Sequence, residues 1–401
     1  MRGGRVAVVG GSIAGCAVAM AAHRAGAAEV VVFERTPGRL EDRGVGVGVR
    51  ADLYEELAGA GYLGDDAQYV RLDRRAWFTA DGSRTGRAVG AMEFSFRAYN
   101  WGSLWRALRD RVPERVDYRR DTPVAAVTAG TDGARVALAD GTAERFDLVV
   151  GADGYRSVVR EAMFPGVRPQ WAGYLLWRGI APARLMPPRE TGWRDGDAAM
   201  IGFPGGHAMV FLIPDRDGGE QVVNWALYSR PPASAVLDPA DPTSLPPGTV
   251  TADLLAHLDL LIDELPPYWA ELVRLTPAPE IFVQPIYDLQ SGSFAAGRLA
   301  LAGDAAAVVR PHTGGGAVKA LQDAIALEAA LSGTDDLDAA LLAYDVRRAP
   351  IGRAMVALGR GLGTAQVLDT PDWAAMDQDA LHAWWAAIPG QLPLGGRALI
   401  G

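Results

Sequence analysis

The sequence predicts an α/β fold in which a sheet of parallel strands carries an inserted, mixed or mostly antiparallel β region and ends in a helical C-terminus. The first 35 residues read as strand, glycine turn, helix and strand, and segments of the same kind recur in the middle and near the end of the chain. Between the middle segment and the one near the end, residues 171–230 contain long β-rich runs. Because parallel strands joined by a helix begin a doubly wound sheet, the pattern indicates one domain inserted into another.

Apolar runs separated by glycines predict the N-terminal strands and helix. Arg5–Val9 and Glu29–Phe33 are short β-rich runs, and Ser12–Ala25 between them is a helix of small residues that Gly26 ends. Further along, the patterns predict a helix over 51–60, a hairpin over 74–96, an amphipathic helix at Trp101–Arg111, and short strands at Val124–Val127, Ala134–Leu138 and Leu148–Val150.

The second half of the chain alternates between strand-rich and helix-rich stretches. Residues 231–250 are rich in Pro, Ser and Asp and read as a loop. The predicted elements are strands at Tyr174–Ile180, His207–Ile213, Gln221–Tyr228 and Arg298–Ala302, helices at about 251–264 and 317–331, and a mainly helical tail after 337 with a loop near 366–376.

Composition excludes several classes of function. The chain has 401 residues and a formal net charge of −9, which argues against nucleic acid or an anionic membrane as a partner. Cys16 is the only cysteine, so neither an internal disulfide nor a multi-cysteine metal site is possible within the chain, and no histidine pair has metal-ligand spacing. Glycines interrupt the first apolar run, and no other run suits a membrane span, so we expect a cytoplasmic protein.

The first motif with a chemical meaning is the glycine turn at Gly10–Gly15. It matches the dinucleotide fingerprint at the first and third glycines, with Ser12 in the second slot, and it opens a helix whose N–H groups suit a pyrophosphate. Glu34 ends the next strand, where an acid accepts ribose hydroxyls; it would repel a 2′-phosphate, so FAD or NAD fits this site better than NADP. The candidate residues here are Gly10, Gly11, Ser12, Ile13, Ala14, Gly15, Glu34 and Arg35.

Two later motifs complete a recognisable order. Asp153–Arg160 (DGYRSVVR) follows a strand, and Gly303–Ala306 (GDAA) continues through Arg310–Gly316 (RPHTGGG) into a helix. With the N-terminal fingerprint, this order resembles the single-component FAD-dependent aromatic monooxygenases, the p-hydroxybenzoate hydroxylase-like family, over about residues 5–360. Four shorter segments are similar to the 2,6-dihydroxypyridine 3-monooxygenase branch: residues 173–179, 224–225, 284–288 and 310–312.

The resemblance implies roles for individual residues. Glu34 would bind the adenosine ribose, Asp304 the ribityl chain near the pyrophosphate, and Asp153 would lie by the pyrophosphate and the approach of NAD(P)H. Gly314–Gly316 would open a helix facing the flavin N1–C2=O, where reduced flavin carries negative charge. Arg43 lies in a segment that contacts FAD in the family. The remaining candidates for the FAD site are Arg106, Val124, Gly303, Pro311 and Ala317.

The resemblance also implies a domain division and a reaction. Residues 1-72, 97-168 and 284-360 would form the FAD-binding domain, 73-96 and 169-283 the substrate-binding domain, and 361-401 a helical tail. NAD(P)H would reduce FAD, and O2 would then form a C4a-hydroperoxide that hydroxylates an electron-rich aromatic or heteroaromatic molecule. NADH and NADPH both stay open, as do the substrate and the oligomeric state, with a homodimer as one option.

Two alternatives remain beside hydroxylation. One is another flavin oxidoreductase reaction, such as epoxidation, Baeyer–Villiger insertion or dehydrogenation. The other is a flavin-binding redox sensor without turnover, although the intact loop from Asp304 to Gly316 favours an enzyme.

Candidate substrate residues come from the strand-rich stretch and the last loop. His312 is either a substrate or proton-relay residue or a loop residue bonded to backbone. Alternation along Gln221–Tyr228 places Asn224 and Tyr228 on the face that meets the ligand. Arg178 would hold an acidic substrate group or form a salt bridge in the sheet, and His207 lies in a glycine turn that enters a strand.

Overall fold

The α/β class is confirmed by the computed structural model of the protein, which describes residues 3–38, 40, 45–189, 193–233 and 245–389. Its strands are β1 (Arg5–Val9), β2 (Glu29–Phe33), β3 (Gly46–Arg50), β4 (Tyr69–Thr79), β5 (Arg87–Asn100), β6 (Asp117–Arg119), β7 (Val124–Gly130), β8 (Gly133–Leu138), β9 (Ala143–Phe146), β10 (Leu148–Gly151), β11 (Gln170–Pro182), β12 (Asp197–Phe203), β13 (Gly206–Pro214), β14 (Gln221–Ser229), β15 (Phe282–Gln290), β16 (Ala295–Ala296), β17 (Leu299–Leu301) and β18 (Ala307–Val308). Its helices are α1 (Ile13–Arg24), α2 (Ala51–Gly59), α3 (Trp101–Arg111), α4 (Val158–Met163), α5 (Ala252–Asp263), α6 (Pro267–Arg274), α7 (Gly316–Gly333), α8 (Leu337–Gly363) and α9 (Gln378–Ala387).

The first sheet places the glycine motifs at one edge. Its strand order is β16-β17-β10-β1-β2-β6, and β1 runs parallel to both β2 and β10, which in turn runs parallel to β17. α1 and α7 pack against each other and share one hydrophobic core with this sheet. Since the carboxyl ends of parallel strands meet at one edge, Gly10, Glu34, Asp153 and Gly303 all follow strands there.

The second sheet has a concave face. Its order is β18-β15-β11-β14-β13-β12-β4-β5-β3, and neighbouring strands are antiparallel except for the parallel pair of β12 and β4. One face packs on the core residues of α5 and α6. At the other face, a Cβ built on Gly46 at the start of β3 would lie 2.9 Å from Asn224 Oδ1 on β14, five positions away in the strand order. The sheet therefore curls, and the curled face forms one wall of a cavity.

The C-terminal segment packs onto this sheet through indole rings. Trp77 of β4 lies with its ring centroid 5.1 Å from that of Trp373 and 5.6 Å and 6.3 Å from those of Trp384 and Trp385. We call these four residues the C-terminal tryptophan cluster. The Arg87 guanidinium donates to backbone carbonyls of residues 373, 374 and 376, and these bonds hold the segment on β5.

A small third sheet has the order β7-β8-β9. In the part of the chain that the structure describes, no helix is both long and apolar enough to cross a membrane. Across the same residues, His, Cys, Asp and Glu side chains form no group of three or more that could hold a metal ion.

Candidate active site

One cavity of about 670 Å³ joins the carboxyl edge of the first sheet to the concave face of the second. Most of the candidate residues line it, although they come from distant parts of the chain. Those residues are Gly10, Ser12, Ile13, Ala14, Glu34, Arg35, Val124, Asp153, Arg178, His207, Asn224, Tyr228, Gly303, Asp304, Pro311, His312, Gly314, Gly315, Gly316 and Ala317.

Four candidates are placed differently. Gly11 lies in the glycine turn and Gly15 in the first turn of α1, and neither lines the cavity. Arg106 is a half-buried residue of α3 that does not line the cavity either. Arg43 lies outside the described residues.

The glycine turn has the shape that a dinucleotide pyrophosphate requires. Gly10 has φ +99°, and a Cβ there would lie 2.4 Å from the carbonyl oxygen of Ala152. A Cβ on Gly15 would lie 1.8 Å from the carbonyl oxygen of Gly10, so both glycines are needed for the tight turn and the close packing. Ser12 precedes α1 without a side-chain cap, which leaves the first N–H groups of the helix available to an anion.

Glu34 is fixed at the cavity wall by two backbone bonds. Its Oε2 accepts from the Gly11 N–H at 2.7 Å and its Oε1 from the Thr36 N–H at 2.7 Å, and the residue is 5% exposed. The carbonyl of Gly11 accepts from the Trp105 indole and the Tyr118 hydroxyl. Gly11 therefore positions Glu34 rather than lining the cavity itself.

Asp153 presents an acceptor that the protein leaves unused. Its Oδ2 accepts from the Val158 N–H at 2.7 Å, while Oδ1 is buried and has no partner among the described residues. Burial is the main cause that raises the pKa of this carboxyl. A hydroxyl or N–H donor of a bound ligand would satisfy the unpaired oxygen.

A buried ion cluster holds the loop that presents Asp304. The Gly303 N–H donates to Asp323 Oδ2 at 2.9 Å, and Lys319 Nζ donates to the Gly303 carbonyl and to Asp323 Oδ2, each at 2.8 Å. Arg348 Nε donates to Asp323 Oδ1 at 2.7 Å. The Asp304 side chain lines the cavity. Lys319, the only lysine of the chain, stabilises the loop and does not line the cavity.

The start of α7 faces the same cavity. Gly314 has φ +60°, and Gly315 precedes the helix without a side-chain cap. A Cβ on Gly315 would lie 2.6 Å from Met355 Cε, so a larger residue there would have to displace the end of the Met355 side chain. The uncapped N–H groups favour negative charge at this end. Together with the glycine turn, Glu34 and the free oxygen of Asp153, they fit an FAD molecule.

Three aromatic rings form the far wall of the cavity. The His207 ring stacks on the Tyr228 ring with centroids 4.7 Å apart and planes 15° apart, and the His312 ring lies 4.2 Å from that of Tyr228. His312 Nε2 lies 3.0 Å from the Tyr174 hydroxyl, and His207 Nδ1 lies 3.1 Å from the carbonyl oxygen of Gln366. Among the described residues, the hydrogen-bond partner of His312 is therefore a side chain and not a backbone group.

Burial keeps these rings uncharged near neutral pH. It lowers the pKa of His207 to about 4 and the pKa of His312 well below the ordinary range of histidine. It raises the pKa of Tyr228 to about 12. Each neutral imidazole has one donor and one acceptor nitrogen, so His312 can pass a hydrogen bond between the Tyr174 hydroxyl and a ligand.

Arg178 and Asn224 lie together at the other end of the concave face. Arg178 donates to the Gly46 carbonyl at 3.1 Å, and its Nε is buried without a partner. No ion pair of Arg178 occurs among the described residues, so the alternative of a salt bridge within the sheet is absent there. Asn224 is 1% exposed, and neither its amide oxygen nor its amide nitrogen has a partner in that part of the chain.

The alternation predicted along β14 is observed. Asn224, Ala226 and Tyr228 face the cavity. Val223, Trp225 and Leu227 pack into the core on the opposite face of the sheet.

Sequence patterns do not identify two residues that shape this site. Arg75 on β4 lines the cavity, and Tyr174 on β11 supports His312. The only signal for Arg75 is a charged residue at the start of the buried half of β4, and it is ambiguous because the neighbouring Arg74 pairs with Asp197.

Comparison with known proteins agrees with this geometry. Residues 285–358 match the family described as FAD binding domain. The chain is 29% identical over 360 residues to 2,6-dihydroxypyridine 3-monooxygenase of Paenarthrobacter nicotinovorans, which covers 87% of this chain and 88% of that protein. It is 30% identical over 368 residues to kynurenine 3-monooxygenase of Salinispora tropica, covering 86% and 76%.

A solved structure shows the same fold. The 2,6-dihydroxypyridine-3-hydroxylase of Arthrobacter nicotinovorans superposes with a TM-score of 0.79 at 26% identity, covering 94% of this chain and 96% of that one. The 2,6-dihydroxypyridine and kynurenine enzymes, and a salicylate hydroxylase of Pseudomonas putida that also matches, are by name monooxygenases or hydroxylases of aromatic compounds. Because the glycine motifs, the shared cavity and the identity over most of the length agree, the chain belongs to the FAD-dependent aromatic monooxygenases.

Proposed function

We propose that this protein hydroxylates an electron-rich aromatic or heteroaromatic small molecule, with NAD(P)H as the reductant and O2 as the source of oxygen. The observation that carries this proposal is the continuity of the cavity, since one space is lined both by the dinucleotide motifs and by the His207, Tyr228 and His312 rings. Bound FAD supplies the redox chemistry: two electrons from NAD(P)H let one atom of O2 enter the ring of the substrate while the other leaves as water.

The residues at the carboxyl edge of the first sheet would hold the cofactor. The N–H groups that open α1, at Ser12 to Ala14, suit the pyrophosphate, and Glu34 would accept hydroxyls of the adenosine ribose. Asp304 would accept from the ribityl chain, while the start of α7 would stabilise negative charge on the flavin ring. In both helices the useful groups are backbone donors, which need no rearrangement when the ligand binds.

The aromatic wall would orient the substrate and handle its proton. Electrophilic hydroxylation is easier when a ring hydroxyl or ring N–H of the substrate has lost its proton. Because the pKa of His312 is well below its ordinary range, this residue would act as a hydrogen-bond relay between the substrate and the Tyr174 hydroxyl rather than as a strong base. Asn224 would pair its free amide with the substrate, and Arg178 would favour an acidic group near it.

Turnover with a chemical panel tests the proposal. Flavin-loaded enzyme would be assayed for NAD(P)H oxidation and O2 uptake with and without hydroxypyridines, hydroxyquinolines, indoles and phenols. We expect at least one compound to accelerate NAD(P)H oxidation and to yield a product that carries one ¹⁸O atom when the reaction runs under ¹⁸O2. If every compound that accelerates oxidation yields only hydrogen peroxide, or a dehydrogenated product without new oxygen, hydroxylation is not the function.

A further inference from the structure

Arg75 is a buried cation in the wall of the cavity. It lies in the middle of β4, is 7% exposed, and its side chain is among those that line the cavity. Its guanidinium carbon lies 4.2 Å from the centroid of the Phe94 ring and 5.2 Å from that of the Trp385 ring, which belongs to the C-terminal tryptophan cluster. Aromatic faces hold a guanidinium in place without using its N–H donors.

Its charge has no acidic partner among the residues that the structure describes. Arg75 forms no ion pair or side-chain hydrogen bond there, and its Nε is buried and unpaired. The buried Arg310 and Arg348, by contrast, pair with Asp288 at 2.8 Å and Asp323 at 2.7 Å. An uncompensated buried charge is strongly destabilising, so a ligand that brings negative charge to Arg75 would be stabilised there. Burial lowers the pKa of Arg75 to about 10, which still leaves it protonated at neutral pH.

Arg75 lies close to the residues proposed to contact the substrate. Burial is the main cause of the lowered pKa values of His207 and His312, and the charge of Arg75 lowers both further. Burial raises the pKa of Tyr228, whereas the positive charges of Arg178 and Arg75 both lower it. The described acidic residues that line the cavity, Glu34, Asp153 and Asp304, belong instead to the dinucleotide motifs. The substrate end of the cavity is therefore positive.

We propose that Arg75 binds an acidic oxygen group of the substrate, so that the molecule hydroxylated here is an aromatic anion. This inference rests on the proposed function, because it assigns the substrate class of the same site. A guanidinium can donate two parallel N–H bonds to a carboxylate, and it can also donate to an ionised ring hydroxyl. Held by two aromatic rings, the Arg75 donors meet such a group with little loss of side-chain freedom.

Binding to the flavin-loaded protein tests this assignment without turnover. Titrations followed by the change in flavin absorbance would compare matched pairs of probes: salicylate with salicylamide, anthranilate with anthranilamide, and an ionised nitrophenol with its methyl ether. The first two pairs test a carboxylate and the third tests an ionised hydroxyl. In the native protein we expect the anion to bind about tenfold or more tightly than its neutral partner in at least one pair, because hydrogen bonds to charged groups are the stronger ones.

Two variants and a control identify the residue responsible. Arg75→Met keeps the length of the side chain between Phe94 and Trp385 but removes the charge, and should weaken binding of the preferred anion about ten- to a hundredfold with little effect on the neutral probe. Arg75→Lys keeps the charge and should retain part of the preference. Arg71→Met, on the same strand but with a side chain 76% exposed, should leave both affinities unchanged.

The assignment fails if no anion of the panel binds better than its neutral partner to the native protein, a result that needs no variant. It also fails if Arg75→Met weakens both members of a pair equally, which is the signature of a packing role, or weakens neither. If anions bind through Arg75 and no compound is hydroxylated, the anion site stands and the proposed function falls.

Discussion

Glu34 illustrates how a single side chain is prepared for its ligand. Because two backbone N–H groups already hold its carboxylate, each oxygen keeps a lone pair for a ribose hydroxyl. Replacing Glu34 with Ala should weaken FAD binding by about ten- to a hundredfold, since a hydrogen bond to a charged acceptor contributes roughly 1.5–3 kcal/mol. Titration of apo-protein with FAD measures this, and Glu34→Gln, which keeps one acceptor oxygen, should show a smaller loss. Unchanged affinity in both would remove Glu34 from the ribose site.

His312 should matter for coupling rather than for cofactor binding. His312→Ala should lower the ratio of hydroxylated product to NAD(P)H oxidised, with hydrogen peroxide rising, and reduce the hydroxylation rate by up to about a hundredfold, the lower end for proton-transfer groups. Tyr174→Phe removes the hydroxyl that contacts His312 Nε2 and should act in the same direction. Tyr344→Phe is the matched control, because it removes a buried hydroxyl that donates to the Leu301 carbonyl outside the cavity. If the ratio of hydroxylated product to NAD(P)H oxidised is unchanged in His312→Ala, His312 is only a loop residue.

His207 should make folding stability depend on pH. The unfolded chain protonates this residue near its ordinary pKa of 6.5, whereas in the fold burial lowers the pKa to about 4. The unfolded state therefore binds more protons between these values, and stability falls as pH is lowered from 6.5 toward 4. The free energy of unfolding should fall by about 3 kcal/mol over this pH range because of His207 alone. Thermal melts across this window should show a flatter profile for His207→Asn than for the native protein, while His382→Asn, at an exposed position, should follow the native profile.

Most of the residues predicted from local motifs line the cavity. Gly10, Glu34 and Asp304 could be predicted because a turn or a strand end fixes where each must lie. Arg75 and Tyr174 could not, since their importance depends on which distant rings they meet after folding. Arg106 remains a prediction without support from its position on α3.

Among the elements, the loop before Asp304 and the helix α7 act as a unit. Asp304→Ala should give mostly apo-protein with native secondary structure, because its side chain projects into the cavity and the buried cluster behind it stays intact. Flavin content per chain and far-ultraviolet circular dichroism measure the two effects. Full flavin content in the variant would contradict the role of the last motif.

Lys319→Met provides the contrast. Removing one partner of a buried ion pair destabilises a protein by about 3–5 kcal/mol, and here the lower end applies because Arg348 still neutralises Asp323. This variant should lose both thermal stability and flavin content, since Lys319 also holds the Gly303 carbonyl. A variant with native stability and full flavin content would mean that the Lys319 bonds to Gly303 and Asp323 are not needed to hold the loop.

Elements with a strong pattern were predictable and short mixed ones were not. β1, β2 and α3 have the predicted bounds, because each is a clean apolar or amphipathic run. β12 is buried along its whole length, yet its mixed sequence shows neither alternation nor a β-branched run. α6 begins at a pair of prolines, which reads equally well as the loop that precedes it.

For the whole molecule, cofactor binding should stabilise both large sheets against unfolding, because residues of both line the cavity. FAD at a hundred times its Kd would add about 2.7 kcal/mol of stability. We expect FAD to raise the Tm of apo-protein more than FMN does, since FMN lacks the adenosine half that Glu34 would bind. Denatured native protein should likewise release FAD on chromatography. Release of FMN, or equal stabilisation by both flavins, would contradict the dinucleotide site.

The C-terminal tryptophan cluster has a consequence for how such a protein diversifies. Trp385 covers Arg75 from a segment that follows every glycine motif in the chain, and Gln366, which supports His207, belongs to the same region. Mutations there would change the surroundings of Arg75 and His207. The glycine turn, the Asp304 loop and the start of α7, which are proposed to bind the cofactor, would stay unchanged. Substitutions in this segment should therefore change the choice of substrate before they change the flavin content of the protein.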